Sequence, residues 1–235
     1  MAYSTFKGGI YPHKRKRFTR EKEVQEYLPQ GELVYPLWQH IGGAAVPVVE
    51  PGDRVLEGQL IARAGGDISA PIHASVSGVV QAIEPRMTAS GQELMSIVLE
   101  NDTLYERVPE EELRPWQEME PGERIEKIRE AGIVGMGGTG FPTYIKLAVK
   151  NPKKIRYVIV NGLECEPYLT ADYRRMVENP DELAEGLRMV LSLFERATGI
   201  FAVDENKRDA ITTLQLAVGH ESRMEVKVLE TKYPQ

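Results

Sequence analysis

Between residues 33 and 100 apolar side chains recur at alternate positions in short runs: LVYPLWQH, AAVPVVE, RVLEGQLIAR, ISAPIHASVSGVVQAIE and ELMSIVLE. A period of two marks half-buried strands. Pro-Gly-Asp at 51–53, Gly-Gly at 65–66 and Ser-Gly at 77–78 supply the turns between them, so the region predicts an all-β module. From residue 123 the period changes. ERIEKIREAG places Ile125 and Ile128 on one face of a short helix closed by Gly132, and PTYIKLAVKN reads as a helix with Pro142 in its first turn. KIRYVIVNG reads as a buried strand, DELAEGLRMVLSLFERATG as a long helix, GIFAVDEN as a strand, KRDAITTLQLAVGH as a helix and MEVKVLET as a strand. Strands alternating with helices predict a mostly parallel sheet, so this half is α/β. Its ligand is expected at the carboxyl ends of the strands, where VNGLECEP falls. The division expected is a basic arm over 1–32, the β module over 33–100, a linker over 101–122 anchored by Trp116, and the α/β domain over 123–235.

The order of the β module is specific: a strand, PGDRVLEGQLIA, a hairpin, then SAPIHASVSGVV. It resembles the barrel-sandwich hybrid of biotinyl and lipoyl domains. Those domains carry a prosthetic group on a lysine at a hairpin tip, but the corresponding tip here reads RAGGDIS. Without a lysine there is no swinging arm. His40 and His73 lie in this module and read as hydrogen-bonded structural residues outside any site.

Charge and composition narrow the function. The 235 residues are 42% hydrophobic and 27% charged, as in ordinary globular proteins, and no apolar run approaches the roughly 18–20 residues that cross a bilayer. No leader-like apolar stretch follows MAYSTFKGG, and the expectation is a cytoplasmic protein. The single cysteine, Cys165, excludes an internal disulfide, a thiolate zinc site and a self-contained iron–sulfur cluster. A net charge of −6 argues against nucleic acid as a partner. Residues 7–20 nevertheless carry Lys7, Lys14, Arg15, Lys16, Arg17 and Arg20 with no acid. The reading favoured is a solvated arm; the sharper one is a docking strip for an acidic partner or an anionic membrane surface.

The chemistry concentrates in GIVGMGGTGFPTYIK, which packs five glycines into the nine residues from Gly132 to Gly140. Gly135, Gly137 and Gly140 fit the dinucleotide spacing G-x-G-x-x-G, but that motif follows a strand and this loop follows a helix. The Walker spacing from Gly135 to Gly140 ends in Phe-Pro where Lys-Ser/Thr is needed. What remains is a backbone able to lie flat against a ring or to turn N–H groups toward a phosphate, with a helix start and Lys146 just beyond. The other reading is a glycine-rich connection with a surface lysine. A second stretch, VIVNGLECEPYLTADYRRM, presents Asn161, Glu164, Glu166 and Asp172 at a strand end, suited to hydrogen-bonding a ribityl chain, a ribose or a carboxamide. Cys165 reads as packing rather than nucleophile.

GMGGTGFPTYIK followed by NGLECEPYLTADYR resembles the RnfC component of the Rnf electron-transport complexes and, more distantly, the NADH-oxidising flavoprotein of respiratory complex I. FKGGIYP, HIGGAAVPVVEPGDRVLEGQLIA and SAPIHASVSGVV stand in the order of the same family, so the resemblance covers nearly the whole chain. It implies a barrel-sandwich hybrid followed by an α/β Rossmann-like flavin-binding domain. The role it implies is that of a peripheral component exchanging hydride between NAD(H) and FMN. Electrons would pass to or from iron–sulfur clusters of a membrane complex that links ferredoxin to NAD and moves ions.

By the same resemblance Gly135, Gly137, Gly138 and Gly140 form the flavin and nucleotide loop, with Phe141 near the nicotinamide or adenine. Lys146 binds the flavin, Asn161 and Glu164 its ribityl or phosphate region, and Glu166 the nicotinamide side. No catalytic side chain and no metal ligand is expected. The implied partners are other Rnf subunits, ferredoxin-linked carriers and NADH, with the protein lying against the cytoplasmic face of the membrane. Two positions depart from the respiratory pattern: Met136 stands where an arginine is common and Leu163 where an aspartate is. The family's [4Fe–4S] cysteines are absent, so the chain reads as an N-terminal fragment whose flavin site is incomplete. A docking scaffold of the complex and a related flavin-dependent cobalamin reductase are the alternatives; the β module ahead of the flavin region favours Rnf over the latter.

Overall fold

A computed structural model describes residues 3–109, 114–136 and 138–235. The chain forms two compact units, Tyr27–Val149 and Met1–Glu26 together with Lys150–Gln235.

Among the described residues the first unit has seven strands: β1 (Glu32–Pro36), β2 (Val46–Pro47), β3 (Arg54–Val55), β4 (Leu60–Arg63), β5 (Ile72–His73), β6 (Gly78–Met87) and β7 (Glu93–Asn101). An antiparallel sheet has the order β1-β7-β6-β3, and a second the order β2-β4-β5. Side chains from both sheets share one core, with Val55, Ile61, Val76, Val80, Ile97 and Leu99 essentially fully buried. The long hairpin β6–β7 keeps its register from Met87↔Glu93 up to Ala82↔Val98 and then shifts by one residue at Gln81. Such a bulge bends the hairpin and sharpens its twist. The run ISAPIHASVSGVVQAIE is thus two strands, β5 and β6, separated at Ala74–Ser77.

Two helices complete this unit. In α1 (Pro121–Glu130) the last turn closes as expected at Gly132, whose φ of 68° lets its N–H reach Arg129 O at 3.0 Å while Ile133 N–H reaches Ile128 O at 3.4 Å. This is the paired reverse bonding of a glycine-terminated helix. The second helix, α2 (Thr143–Leu147), is shorter than PTYIKLAVKN suggested, and Pro142 caps it in an extended conformation rather than sitting in its first turn. Ala148 leaves helical geometry with ψ of 56°. At five residues α2 is little more than one turn, too short for the helix-end field expected beside the glycine loop.

The second unit is a parallel sheet of order β10-β9-β8, formed by β8 (Tyr157–Gly162), β9 (Thr198–Asp204) and β10 (Met224–Leu229). Helices α3 (Ala171–Glu178) and α4 (Pro180–Leu191) connect β8 to β9, and α5 (Arg208–Val218) connects β9 to β10. Helix α3 has no counterpart among the elements that periodicity predicts, and α4 stops at Leu191, short of the length expected. Strand β8 is not a buried strand. It is the edge of its sheet, and Tyr157 and Ile159 are 61% and 64% exposed.

The basic N-terminal segment is docked rather than solvated. Ser4 and Ile10 bridge to Leu229 and Tyr233, and Tyr11 Oη donates to Glu230 at 2.7 Å. Residues 7–20 carry no acid of their own; their acidic partners, Glu164, Asp209 and Glu230, are all distant in sequence.

Candidate functional site

In the first unit the glycine loop forms one wall of a cleft of about 450 Å³. That volume lies in the range, roughly 300–1,000 Å³, of small-molecule sites. Gly132, Gly135, Met136, Gly138 and Gly140 line one side; Gln39, His40, Pro71 and His73 of the β module line the other.

The glycines have distinct duties. A Cβ on Gly140, whose φ is 59°, would come 2.8 Å from Gln39 O and 2.9 Å from His40 Cα, so this residue lets loop and β module touch. Ile41 N–H donates to Thr139 O at 2.9 Å across the same contact. Gly138, with φ of 128°, has open space where a Cβ would stand. Gly135 N–H is held by Phe141 O at 2.9 Å, closing the loop. Lys146 reaches back over it: its Nζ lies 3.3 Å from the place of a Gly135 Cβ and 5.6 Å from the Phe141 ring centre. Gly135, Phe141 and Lys146 therefore meet at one place, and Gly138 and Gly140 line the same cleft. Gly137 lies outside the described residues. The loop follows helix α1, not a strand, in keeping with its failure as a Rossmann turn.

His40 and His73, which the sequence places outside any site, both line this cleft. His40 is buried and accepts Ala70 N–H on Nε2 at 3.0 Å, which leaves the Nδ1 proton for Ile41 O at 3.1 Å. It fixes the wall. The His73 ring makes no hydrogen bond among the described residues, and burial pushes its imidazole below the ordinary histidine value. Nothing local in sequence distinguishes the two; the close approaches permitted by Gly140 at His40 and by Gly132 at Pro71 bring this wall to the loop.

Asn161, Glu164 and Glu166 belong to the second unit, at the end of β8 and on the loop that leaves it. Asn161 is exposed and its Oδ1 accepts Leu163 N–H at 3.0 Å, a turn that orients the residues after the strand. Glu166 is exposed and unpaired among the described residues. Glu164 is different. Only 4% exposed, its carboxylate accepts Asp172 N–H at 3.0 Å and faces Lys16 Nζ at 3.4 Å and Lys207 Nζ at 3.6 Å.

The two lysines also bind backbone. Lys16 donates to Glu164 O and Leu169 O at 2.6 Å each, and Lys207 donates to Gly162 O at 2.8 Å. Asp204 completes the group, pairing with Lys207 at 3.2 Å and accepting Glu164 N–H at 3.2 Å. Burial lowers the Lys16 pKa, the Glu164 charge opposing that shift. Sequence reasoning missed Lys16, Asp204 and Lys207; the signal available was a basic run, 7–20, with no acid within it, which pointed to counter-charges elsewhere. Cys165 is buried, its Sγ 3.6 Å from Gln235 O, as a packing residue should be.

Comparison with known proteins matches two family models. Residues 4–104 match the RnfC Barrel sandwich hybrid domain and residues 128–235 the Nuo51 FMN-binding domain. The chain is similar to the C subunit of the Na(+)-translocating ferredoxin:NAD(+) oxidoreductase complex of Acetobacterium woodii, 42% identical over 238 residues that span 100% of this chain and 53% of that protein. The proton-translocating counterpart of Clostridium ljungdahlii is 39% identical over 98% of this chain and 50% of its own length. The C subunit of the ion-translocating oxidoreductase complex of Vibrio cholerae is 38% identical over 97% of this chain and 30% of its own. The chain thus spans about half the length, or less, of these relatives.

Proposed function

We infer the function of this chain from the family to which it belongs, the RnfC components of ion-translocating ferredoxin:NAD(+) oxidoreductases, and propose that it holds FMN and meets NAD(H) there. The observation that carries the reading is the open backbone at Gly138 in a cleft of about 450 Å³, with Lys146 folded over Gly135 of the same loop. A Cβ at Gly138 would stand in that open space, so glycine there preserves room for a flat ring or a phosphate. An ammonium folded over the loop supplies the countercharge. The residues present fit the group.

When bound, FMN supplies hydride exchange with nicotinamide and conversion between two-electron and one-electron transfer. The chain's part is to bind and orient. Gly135, Gly137, Gly138 and Gly140 give the loop its close approach, Lys146 holds negative charge, and Phe141 offers a ring face to a base. In the other unit, Asn161 and Glu166, both exposed at the end of β8, present hydrogen-bonding groups of the kind that suit a ribityl chain or a carboxamide. Glu164, with its carboxylate already occupied, acts by holding that loop in shape. The iron–sulfur clusters that exchange electrons with this site lie outside these 235 residues, since one cysteine holds no cluster. The setting is the cytoplasmic face of an ion-translocating membrane complex, with its other subunits and ferredoxin-linked carriers as partners.

The test is FMN fluorescence on titration with wild-type chain, Lys146→Ala and Gly138→Val. Quenching by wild type that falls about tenfold in affinity in either variant supports the reading. Equal indifference of all three chains defeats it and favours a docking scaffold.

A further inference from the structure

A second cavity, of about 390 Å³, lies wholly within the other unit and has no part in the reading above. Lys14, Lys16, Arg17, Arg20 and Lys207 line it, with one acid, Glu21, and with Thr170, Tyr173 and Asn206. Five cations around one small cavity call for an account of their countercharges. Lys16 and Lys207 are matched by Glu164 and Asp204. Arg20 pairs with Asp209 at 3.4 Å and lies 5.1 Å from the Tyr173 ring centre. Among the described residues Lys14 and Arg17 have no carboxylate within ion-pair distance: Lys14 feels Asp204 and Glu205 only at longer range, and Arg17 rests on the Phe18 ring at 4.9 Å.

Lys14 is half-buried, and an ammonium withdrawn from water without a hydrogen-bond partner costs free energy that an anion in the cavity would recover. The segment is also folded, not trailing. Tyr168 N–H donates to Lys14 O at 2.8 Å and Thr19 Oγ1 to Tyr168 O at 3.1 Å, which holds Lys14 and Arg17 at the cavity in advance. A preorganised concave site suits a small molecule better than the flat face of a bilayer.

We propose that this cavity binds a small phosphate-bearing anion of the nucleoside-phosphate class, its phosphates on Lys14 and Arg17 and its body against Tyr173 and the aliphatic stems of the flanking lysines. This cavity shares no lining residue with the glycine-loop cleft, and its occupation does not require FMN.

The experiment is calorimetric titration of the full chain with pyrophosphate and, separately, with ADP at low and high salt. Saturable binding is expected with both probes, weaker at high salt, and tighter for ADP because its body gains the walls. Lys14→Met/Arg17→Met should weaken both by about tenfold or more, with circular dichroism unchanged because neither side chain is in an ion pair among the described residues. The same double variant should quench FMN fluorescence as wild type does, which separates failure here from failure of the flavin reading. The proposal falls if neither probe saturates at millimolar concentration, or if the double variant binds like wild type. It also falls if the chain ignores both probes but co-sediments with phosphatidylserine vesicles, which would make the segment a membrane strip.

Discussion

Lys16 and Glu164, 148 positions apart, meet in the interior of one unit. The ammonium reaches the glutamate's own carbonyl at 2.6 Å and its carboxylate at 3.4 Å, with the side chains 12% and 4% exposed. One N-terminal lysine thereby holds both backbone and side chain of the loop that follows β8.

Removing that lysine should be costly. Taking one partner from a buried, hydrogen-bonded charge group leaves the other uncompensated, and Lys16→Met is expected to lower stability by about 3 kcal/mol. Urea unfolding measures this. A loss below about 1 kcal/mol would mean that Lys207 satisfies Glu164 alone.

Gly140→Ala tests the seam between loop and β module. The added methyl meets Gln39 O and His40 Cα inside van der Waals contact, at a φ that side chains rarely adopt. A loss of more than about 1 kcal/mol is expected. Thermal unfolding should register it as a lower midpoint, and an unchanged midpoint would place the loop away from the β module.

Met136→Arg tests the missing charge. Met136 lines the cleft and is 92% exposed, so the change should cost less than about 0.5 kcal/mol. On the proposed function it should tighten FMN binding by about threefold, the size of one exposed charge contact. Weaker binding would count against phosphate lying near this side of the loop.

His73 gives a pH dependence with a definite sign. Burial depresses its folded-state pKa, so near that window the unfolded chain binds more protons than the folded one. Its contribution is fully present above about pH 6.5 and is lost as pH falls through the lower folded value. Stability measured against pH should decline less steeply below about 6.5 in His73→Gln than in wild type. Parallel curves would show that His73 is no more buried in the folded chain than in the unfolded one.

Much of the fold was legible because local rules and tertiary needs agree. The β7 run, the glycine stop after α1 and the alternation of β8, β9 and β10 with helices each follow from periodicity and turn chemistry. The errors have identifiable causes. Periodicity does not reveal a strand's neighbours, so β8 reads as buried although it is an edge. Helix α3, carrying ADYRRMVE, has only Tyr173 and Met176 as buried residues, and its polar composition conceals it. In the candidate site, glycine spacing and Lys146 point to the loop, whereas His73, Lys16 and Lys207 are long-range partners that no local window contains.

The hairpin tip at RAGGDIS has a consequence for how anything could be delivered. Ser69, fully buried, receives Gly65 N–H and donates to Gly43 O at 2.9 Å each, and Asp67 O receives the Tyr144 hydroxyl at 2.6 Å. In a carrier domain that tip is the part that travels. Here it is moored at two points, to Gly43 of its own module and to Tyr144 of the helix beyond the glycine loop. A tip held in this way does not swing, so the module presents a fixed surface where a carrier domain has a tether.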